Sequence, residues 1–328
     1  MLKVFSGIQP TGSLHLGNYL GAIRNWVALQ EHPDFDCLYC VVDYHAITME
    51  YETDALAGQT LSMARDLLAC GLDPKRSTLF VQSQVPEHTE LAWIFQATST
   101  AYGELQRMTQ FKSKAEQQAF TTAGLFSYPV LQAADILLYD GERVPVGEDQ
   151  VQHLELTREI ARRFNNRYGE TFPLVEPLLT ESPRIASFRD PEQKMSKSGG
   201  EGHFLSLDAP ETEVRNMIQR AVTDVGPKPE GAMSPGVANL FTVLKALGSP
   251  EAQARLRADY EAGKLRYVEL KGAVSDAVWA TTARIQARKE AYPPERVREI
   301  LREGAARARP AARAKIAQVR DRIGLASL

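Results

Sequence analysis

Cysteine is scarce in this chain, with three in 328 residues, too few for the disulfide framework that staples small secreted domains. Cys37 and Cys40 do have C-x-x-C spacing. They fall inside the apolar run 36–43, however, where a strand turns residues three apart to opposite faces. No second Cys or Cys/His pair completes a zinc site, so both thiols are expected to be structural. No run of about 20 apolar residues is present, which excludes a spanning helix of the usual kind. A charged-then-apolar leader is also missing, and the expected location is cytoplasmic. Charge of either sign is not in excess. The 38 Lys and Arg against 41 Asp and Glu leave −3, so the chain is no uniformly basic nucleic-acid binder, and RNA contact would be confined to local patches.

What is present is an alternation. Residues 2–5, 37–42 and 78–81 are short apolar runs with the character of buried strands. Residues 18–30, 53–69 and 87–100 carry helical periodicity between them. Further helices are predicted over 128–139 and 149–165, around a short strand at 144–146. This pattern predicts an α/β fold. Its parallel sheet has helices on both faces, right-handed crossovers and ligand sites at the C-terminal strand ends. After residue 200 the character changes. A stretch rich in Gly and Pro, 226–236, interrupts the chain, and helical patterns follow to the end. We therefore expect a Rossmann-like catalytic domain over 1–200 and a smaller all-helical domain over 201–328. Residues 293–328 hold nine Lys and Arg against four Asp and Glu. Such a face is ordinarily just solvated, with nucleic-acid contact a second role.

Two segments point to chemistry. Lys194-Met195-Ser196-Lys197-Ser198, followed by Gly199 and Gly200, sets two ammonium groups and two hydroxyls about one apolar anchor. Lysine is a compact, mobile charge that can follow a phosphate as its geometry changes, so the segment has the character of a loop closing on a polyphosphate. The second segment, residues 7–19, leaves the first strand with Gly7, Pro10, Gly12 and Gly17 and opens a helix. Glycines allow close approach there, and a helix N-terminus offers free N–H groups and a positive dipole end.

A third feature is Asp135, set among Ala133, Ala134, Ile136, Leu137 and Leu138. A buried carboxylate must be partnered, either by a structural N–H or Arg, or by a ligand donor such as an indole N–H. Tyr128, Gln132 and Asp135 share one helical face.

Together, Pro10-Thr11-Gly12 with His15-Leu16-Gly17-Asn18, and the lysine loop, resemble the HIGH and KMSKS motifs of class I aminoacyl-tRNA synthetases. Asn18 stands where HIGH ends in histidine. Residues 5–12, 107–112, 128–139, 144–150 and 194–198 extend the resemblance over most of the catalytic half, to the tryptophanyl-tRNA synthetase family of bacterial type. The resemblance implies ATP with Mg²⁺, L-tryptophan and tRNA(Trp) as reactants, and a homodimer. It implies that Gln9, Pro10, Thr11, His15, Gly17 and Asn18 hold ATP from one side. Lys112, Lys194, Met195, Ser196, Lys197 and Ser198 would meet it from the other, with Gly147, Glu148 and Asp149 at the ribose and Ile185 at adenine. His15, Asn18, Lys112, Lys194 and Lys197 are the expected catalytic groups. Asp135 would take the indole nitrogen, with Phe5, His45 and Gln132 around the ring and Tyr128, Gln150 and Gln9 at the amino group. No protein-bound metal is expected. The tyrosyl enzymes are the nearest alternative, and small-molecule nucleotidyltransferases with a similar first loop are another.

Overall fold

A computed structural model describes residues 1–108, 121–147, 151–179, 183–200, 202–223 and 233–326. Its five strands are β1 (Leu2–Ile8), β2 (Phe35–Val41), β3 (Thr78–Val81), β4 (Arg143–Val146) and β5 (Glu176–Leu179). All neighbours are parallel, in the order β3-β2-β1-β4-β5. The order reverses between β1 and β4. That switch point opens a crevice at the C-terminal strand ends, the usual ligand position in such sheets. Gly7 is the penultimate residue of β1 there, and Gly147 follows β4.

Helix α1 is built from Leu16–Asn18 and Arg24–Leu29 joined through a π-helical turn, Tyr19–Ile23. There follow α2 (Asp43–Ala46), α3 (Thr53–Cys70), α4 (Glu87–Thr98), α5 (Tyr102–Leu105), α6 (Ala123–Leu137) and α7 (Val151–Tyr168). The later helices are α8 (Glu211–Gln219), α9 (Pro235–Leu247), α10 (Pro250–Glu261), α11 (Tyr267–Lys289) and α12 (Pro294–Ile323). Helix α6 starts upstream of the expected residue 128, because Thr122 caps it by accepting from the Leu125 N–H. The breaker-rich stretch 226–236 lies mostly outside the described residues.

The sheet separates two apolar clusters, and β2 shows why. Cys37, Tyr39 and Val41 point into one cluster, while Leu38, Cys40 and Val42 point into the other. The period of two in a strand puts the two thiols on opposite faces, as expected. The first cluster continues without a break through Val214, Ile218, Leu240, Val274 and Val278. The helical half is thus seated on one face of the sheet rather than hung from a linker.

The last helix does something else. Helix α12 returns to the sheet and packs on β3, α3 and α4. Its Val297, Ile300 and Leu301 enter the first cluster, and Ala305, Ala308 and Ala312 the second, so it wraps the β3 edge and protects an otherwise open strand. Five of its nine basic groups serve that docking. Arg307 donates to the Ser77 carbonyl (3.2 Å), Arg309 to Gln84 (2.9 Å) and Lys315 to Thr171 (2.8 Å), while Arg313 and Arg320 pair with Glu87 and Glu90. Exposed pairs of this kind contribute at most about 1 kcal/mol each, so apolar contact carries most of the attachment.

The closest approach is at Gly304, where an added Cβ would lie 1.8 Å from the Leu79 carbonyl oxygen. Gly304→Ala should therefore force helix and strand apart, lowering stability by about 1–3 kcal/mol or more, read as a fall in Tm. An unchanged Tm would show that the helix does not bear on β3 this closely.

Candidate active site

The loop leaving β1 is shaped by its own backbone. Gly12 has φ +84°, a left-handed conformation that suits glycine, and Thr11 N–H bonds the Gln9 carbonyl at 2.9 Å. At the start of α1, His15 and Asn18 cap each other. Asn18 N–H donates to His15 Nδ1 (3.3 Å), and His15 N–H donates to Asn18 Oδ1 (3.2 Å). This reciprocal cap fixes the chemistry of both side chains. With Nδ1 accepting, the imidazole is neutral and carries its proton on Nε2, and Asn18 keeps its amide NH₂ for another acceptor. Asn18 in place of a second histidine therefore preserves a donor.

The lysine loop meets this loop across the crevice. Met195 is 1% exposed and enters the same cluster as Leu14 and Leu16. Its N–H bonds the Ile185 carbonyl at 2.9 Å, and Lys194 pairs with Ala186 as an antiparallel bridge. Gly17 makes room for this anchor, because a Cβ there would be 3.0 Å from the His15 ring and 3.3 Å from Met195 Cβ. Lys197 Nζ then reaches over to the Thr11 carbonyl at 2.8 Å. Burial holds the Lys197 ammonium somewhat below its usual range, opposed by the charge of Asp66. Asn239 on α9 supports the strand beneath, its amide both accepting from Ala186 N–H (2.9 Å) and donating to the Ala186 carbonyl (3.0 Å).

On the other face of the sheet, Asp135 is 2% exposed. Its Oδ1 accepts from Gln82 Nε2 (2.7 Å) and pairs with His88 Nδ1 (2.6 Å). Its Oδ2 pairs with His45 Nε2 (2.9 Å) and again with Gln82 Nε2 (2.9 Å). Gln82 is oriented by Tyr44 N–H, which donates to its Oε1 at 3.1 Å. His88 Nε2 meets the Tyr139 hydroxyl at 2.9 Å. Burial alone would raise the Asp135 carboxyl, but the bonds and charges of His45 and His88 outweigh it and hold the group below its usual range. It is thus an ionised carboxylate in the interior.

Two of the other expected pocket groups, Tyr128 and Phe5, contact its partners or their neighbours. His45 stands edge-on to the Tyr128 ring (6.2 Å), Tyr128 OH meets His153 Nε2 at 2.8 Å, and Phe5 stacks on Tyr139 at 5.8 Å. Gln132 and Gln9 are half-buried, and Tyr128, Gln132 and Asp135 follow one face of α6. Lys112, Glu148, Asp149 and Gln150 lie outside the described residues, as does the Ser198 side chain. Sequence reasoning missed Gln82, His88 and Asn239. A signal for His88 existed, since it shares a helical stripe with Leu91, Ala92 and Phe95.

Other groups complete the picture. Among the described residues no cluster of three His, Cys, Asp or Glu side chains could hold a metal ion, and no helix is long and apolar enough to cross a membrane. A separate cavity of ≈ 500 Å³ opens beside Asp43, Tyr51 and Arg302, and none of the expected site residues lines it, although Val81 and Ser83 on its wall flank Gln82.

An N–H-rich loop and a lysine loop clasped over the switch point of a parallel sheet, with a walled carboxylate behind, define a nucleotide-dependent α/β enzyme. The model of the family "tRNA synthetases class I (W and Y)" matches residues 1–282, and the chain belongs to that family. It is 44% identical to the tryptophan–tRNA ligase of Caldanaerobacter subterraneus subsp. tengcongensis over 99% of both chains. Among solved structures it is similar to the tryptophanyl-tRNA synthetase of Mycoplasma pneumoniae (TM-score 0.89, 36% identity, 100% of this chain and 99% of that one). It also resembles the Campylobacter jejuni enzyme complexed with ADP and tryptophan (TM-score 0.84, 34% identity, 99% and 100%).

Burial, followed by the charges of Lys197 and Lys194, holds the His15 imidazole down from 6.5 to about 4. The folded loop therefore refuses a proton that the unfolded chain accepts, so this group's contribution is intact above pH 6.5. It falls by roughly 1.4 kcal/mol per pH unit as pH drops from there toward 4. In the ligand-free protein, NMR titration should show no change of the His15 ring between pH 8 and 5. A midpoint near 6.5 would show that the ring is neither buried nor held beside the lysines.

Proposed function

We propose that this chain joins L-tryptophan to tRNA(Trp) at the expense of ATP, in two transfers. The observation that carries the reading is the Lys197–Thr11 contact at 2.8 Å. It brings the two phosphate-binding loops, 186 residues apart in sequence, to opposite sides of one crevice.

In the first transfer the tryptophan carboxylate attacks the α-phosphorus of ATP and pyrophosphate leaves. In the second, a hydroxyl of the tRNA's terminal adenosine attacks the acyl carbon and AMP leaves. Phosphoryl-type transfer depends on positioning and charge neutralisation rather than on a protein nucleophile. His15 Nε2–H, the Asn18 amide and the backbone around Gly17 donate to phosphate oxygens from one side. Lys194 and Lys197 neutralise them from the other, and Lys112 joins them by family resemblance. As the phosphates arrive, Lys197 exchanges its contact with the Thr11 carbonyl for an anionic oxygen. Gly147 stands at the ribose side of the switch point, with Glu148 and Asp149 after it, and Ile185 lines the adenine side. Mg²⁺ travels as part of the ATP complex. The two lysine ammonium groups repel a divalent cation, so phosphate and water supply its ligands.

Asp135 selects the amino acid. Gln82 spends one NH₂ group on both carboxylate oxygens, so releasing one contact frees an acceptor site for an indole N–H. A site built around a buried acceptor rejects analogues without the donor by about 10⁴–10⁵. The helical half, α8 to α11, carries the tRNA contact in this reading, since the charges of α12 are largely engaged in docking. A homodimer and a cytoplasmic location belong to the same reading and are carried by the family resemblance.

Pyrophosphate–ATP exchange with tryptophan, but not tyrosine or phenylalanine, is the expected result, followed by charging of tRNA(Trp). Exchange with tyrosine would overturn the pocket assignment, and none with any of the three would overturn the function. Lys197→Ala should slow single-turnover adenylate formation by about 10²–10³ and leave tryptophan affinity by calorimetry nearly unchanged. A near-normal rate would remove Lys197 from the chemistry.

A further inference from the structure

The loop that begins α1 does not stand on its own. Its backbone is paired with a short segment that follows the lysine loop: Leu16 N–H bonds the Leu205 carbonyl and Leu207 N–H bonds the Leu14 carbonyl, each at 2.9 Å, with His15 bridged to Ser206 between them. Leu14, Leu16, Leu205 and Leu207 are all buried. His15 therefore occupies the middle of a two-strand clip whose outer strand is residues 205–207. The position of the imidazole is set by whatever fixes that outer strand.

What fixes it is the C-terminal end of α11. Gln286 donates its amide to the Leu207 carbonyl (2.8 Å) and the Ala209 carbonyl (3.0 Å). One turn later Lys289, 9% exposed, lies 2.5 Å from Asp208 Oδ1 and 2.5 Å from Asp66 Oδ1 on α3. Arg65, beside Asp66, closes the arrangement by donating to the Lys289 carbonyl from Nε (3.3 Å) and Nη2 (3.0 Å). Asp66 is 1% exposed, and its Oδ2 faces the Leu14 N–H at 3.5 Å. Burial disfavours the ammonium, yet the bonds from Asp208 and Asp66 outweigh it, so Lys289 stays charged.

A lysine between two carboxylates at the junction of three elements is more than a packing detail. A buried charge is kept only where it is paired, and here the pairing spans the helical half, the catalytic half and the strand that carries His15. We infer that Lys289 is a positioning residue for the adenylation step, setting the His15 loop against the phosphates according to the seating of the helical half. It touches no reactant. It acts through Asp208 and residues 205–207 on His15, and through Asp66 on Leu14. The inference rests on the reading that the His15 loop holds ATP.

Removing Lys289 alone would strand the buried Asp66, so the test uses two variants that do not. Lys289→Met combined with Asp66→Asn leaves no unpaired buried charge. Asp208→Asn alters a carboxylate that is about half exposed (47%) and leaves Asp66 paired. In both folded variants, kcat of tryptophan-dependent pyrophosphate–ATP exchange should fall by about tenfold to a hundredfold. The tryptophan dissociation constant, set on the opposite face of the sheet, should not move. Amide hydrogen exchange at Leu16 and Leu207 should accelerate, while the β1 amides stay protected. Unchanged kinetics and unchanged amide protection would overturn the inference. So would a parallel loss of tryptophan affinity, which would show general loosening rather than positioning. The amide readout needs no catalysis, so failure of the proposed function and failure of this inference are told apart.

Discussion

An ionised carboxylate taken out of water must be given donors by the fold, because an unpartnered buried charge costs far more than any single contact returns. Asp135 imposes that condition on three separate elements. His45 must come from α2, Gln82 from just after β3 and His88 from α4. Each is held in turn, Gln82 by Tyr44 and His88 by Tyr139. The network therefore determines how the strand ends on this face stand relative to α6. In the proposed reading, the selectivity site is built from the same bonds that hold the layers in register.

The sheet keeps this network apart from the phosphate loops. Val4 and Phe5, adjacent in β1, point to opposite clusters, and the two functional halves follow them. On the phosphate side, the loops gather Lys194, Lys197 and N–H donors around a neutral imidazole. Keeping His15 uncharged avoids a third positive group in a small space, and the cations that remain suit an anionic ligand. In the proposed function, reactants held from the two faces meet only at the strand ends, where β1 and β4 part.

Much of this was legible in the residues. The apolar runs at 37–42 and 78–81 correspond to strands because their buried faces leave little polar alternative, and the two glycine-rich and lysine-rich motifs lie on the loops expected. Strand β5 was not legible. It has four residues and includes Pro177, which a sheet tolerates at its edge and which sequence patterns read as a breaker. The partners of Asp135 were hidden for another reason. Gln82 and His88 lie 53 and 47 residues away, and no local periodicity links a strand end to a distant helix. The basic C-terminal helix reads from sequence as a solvated face with nucleic-acid contact a second role, and sequence gives no sign that five of its nine cations reach carbonyls and carboxylates of the catalytic layers.

That helix also fixes an order of events during synthesis. Strand β3 emerges early, but the segment that covers its edge comes some 230 residues later, as the Arg307–Ser77 bond measures. While the chain is still on the ribosome, the β3 edge has no native cover, and an uncovered edge invites pairing with other chains. The catalytic layers can be completed only after α12 has been released. A truncation or stalled translation within α12 would therefore expose the nascent sheet, because that helix is its edge cover.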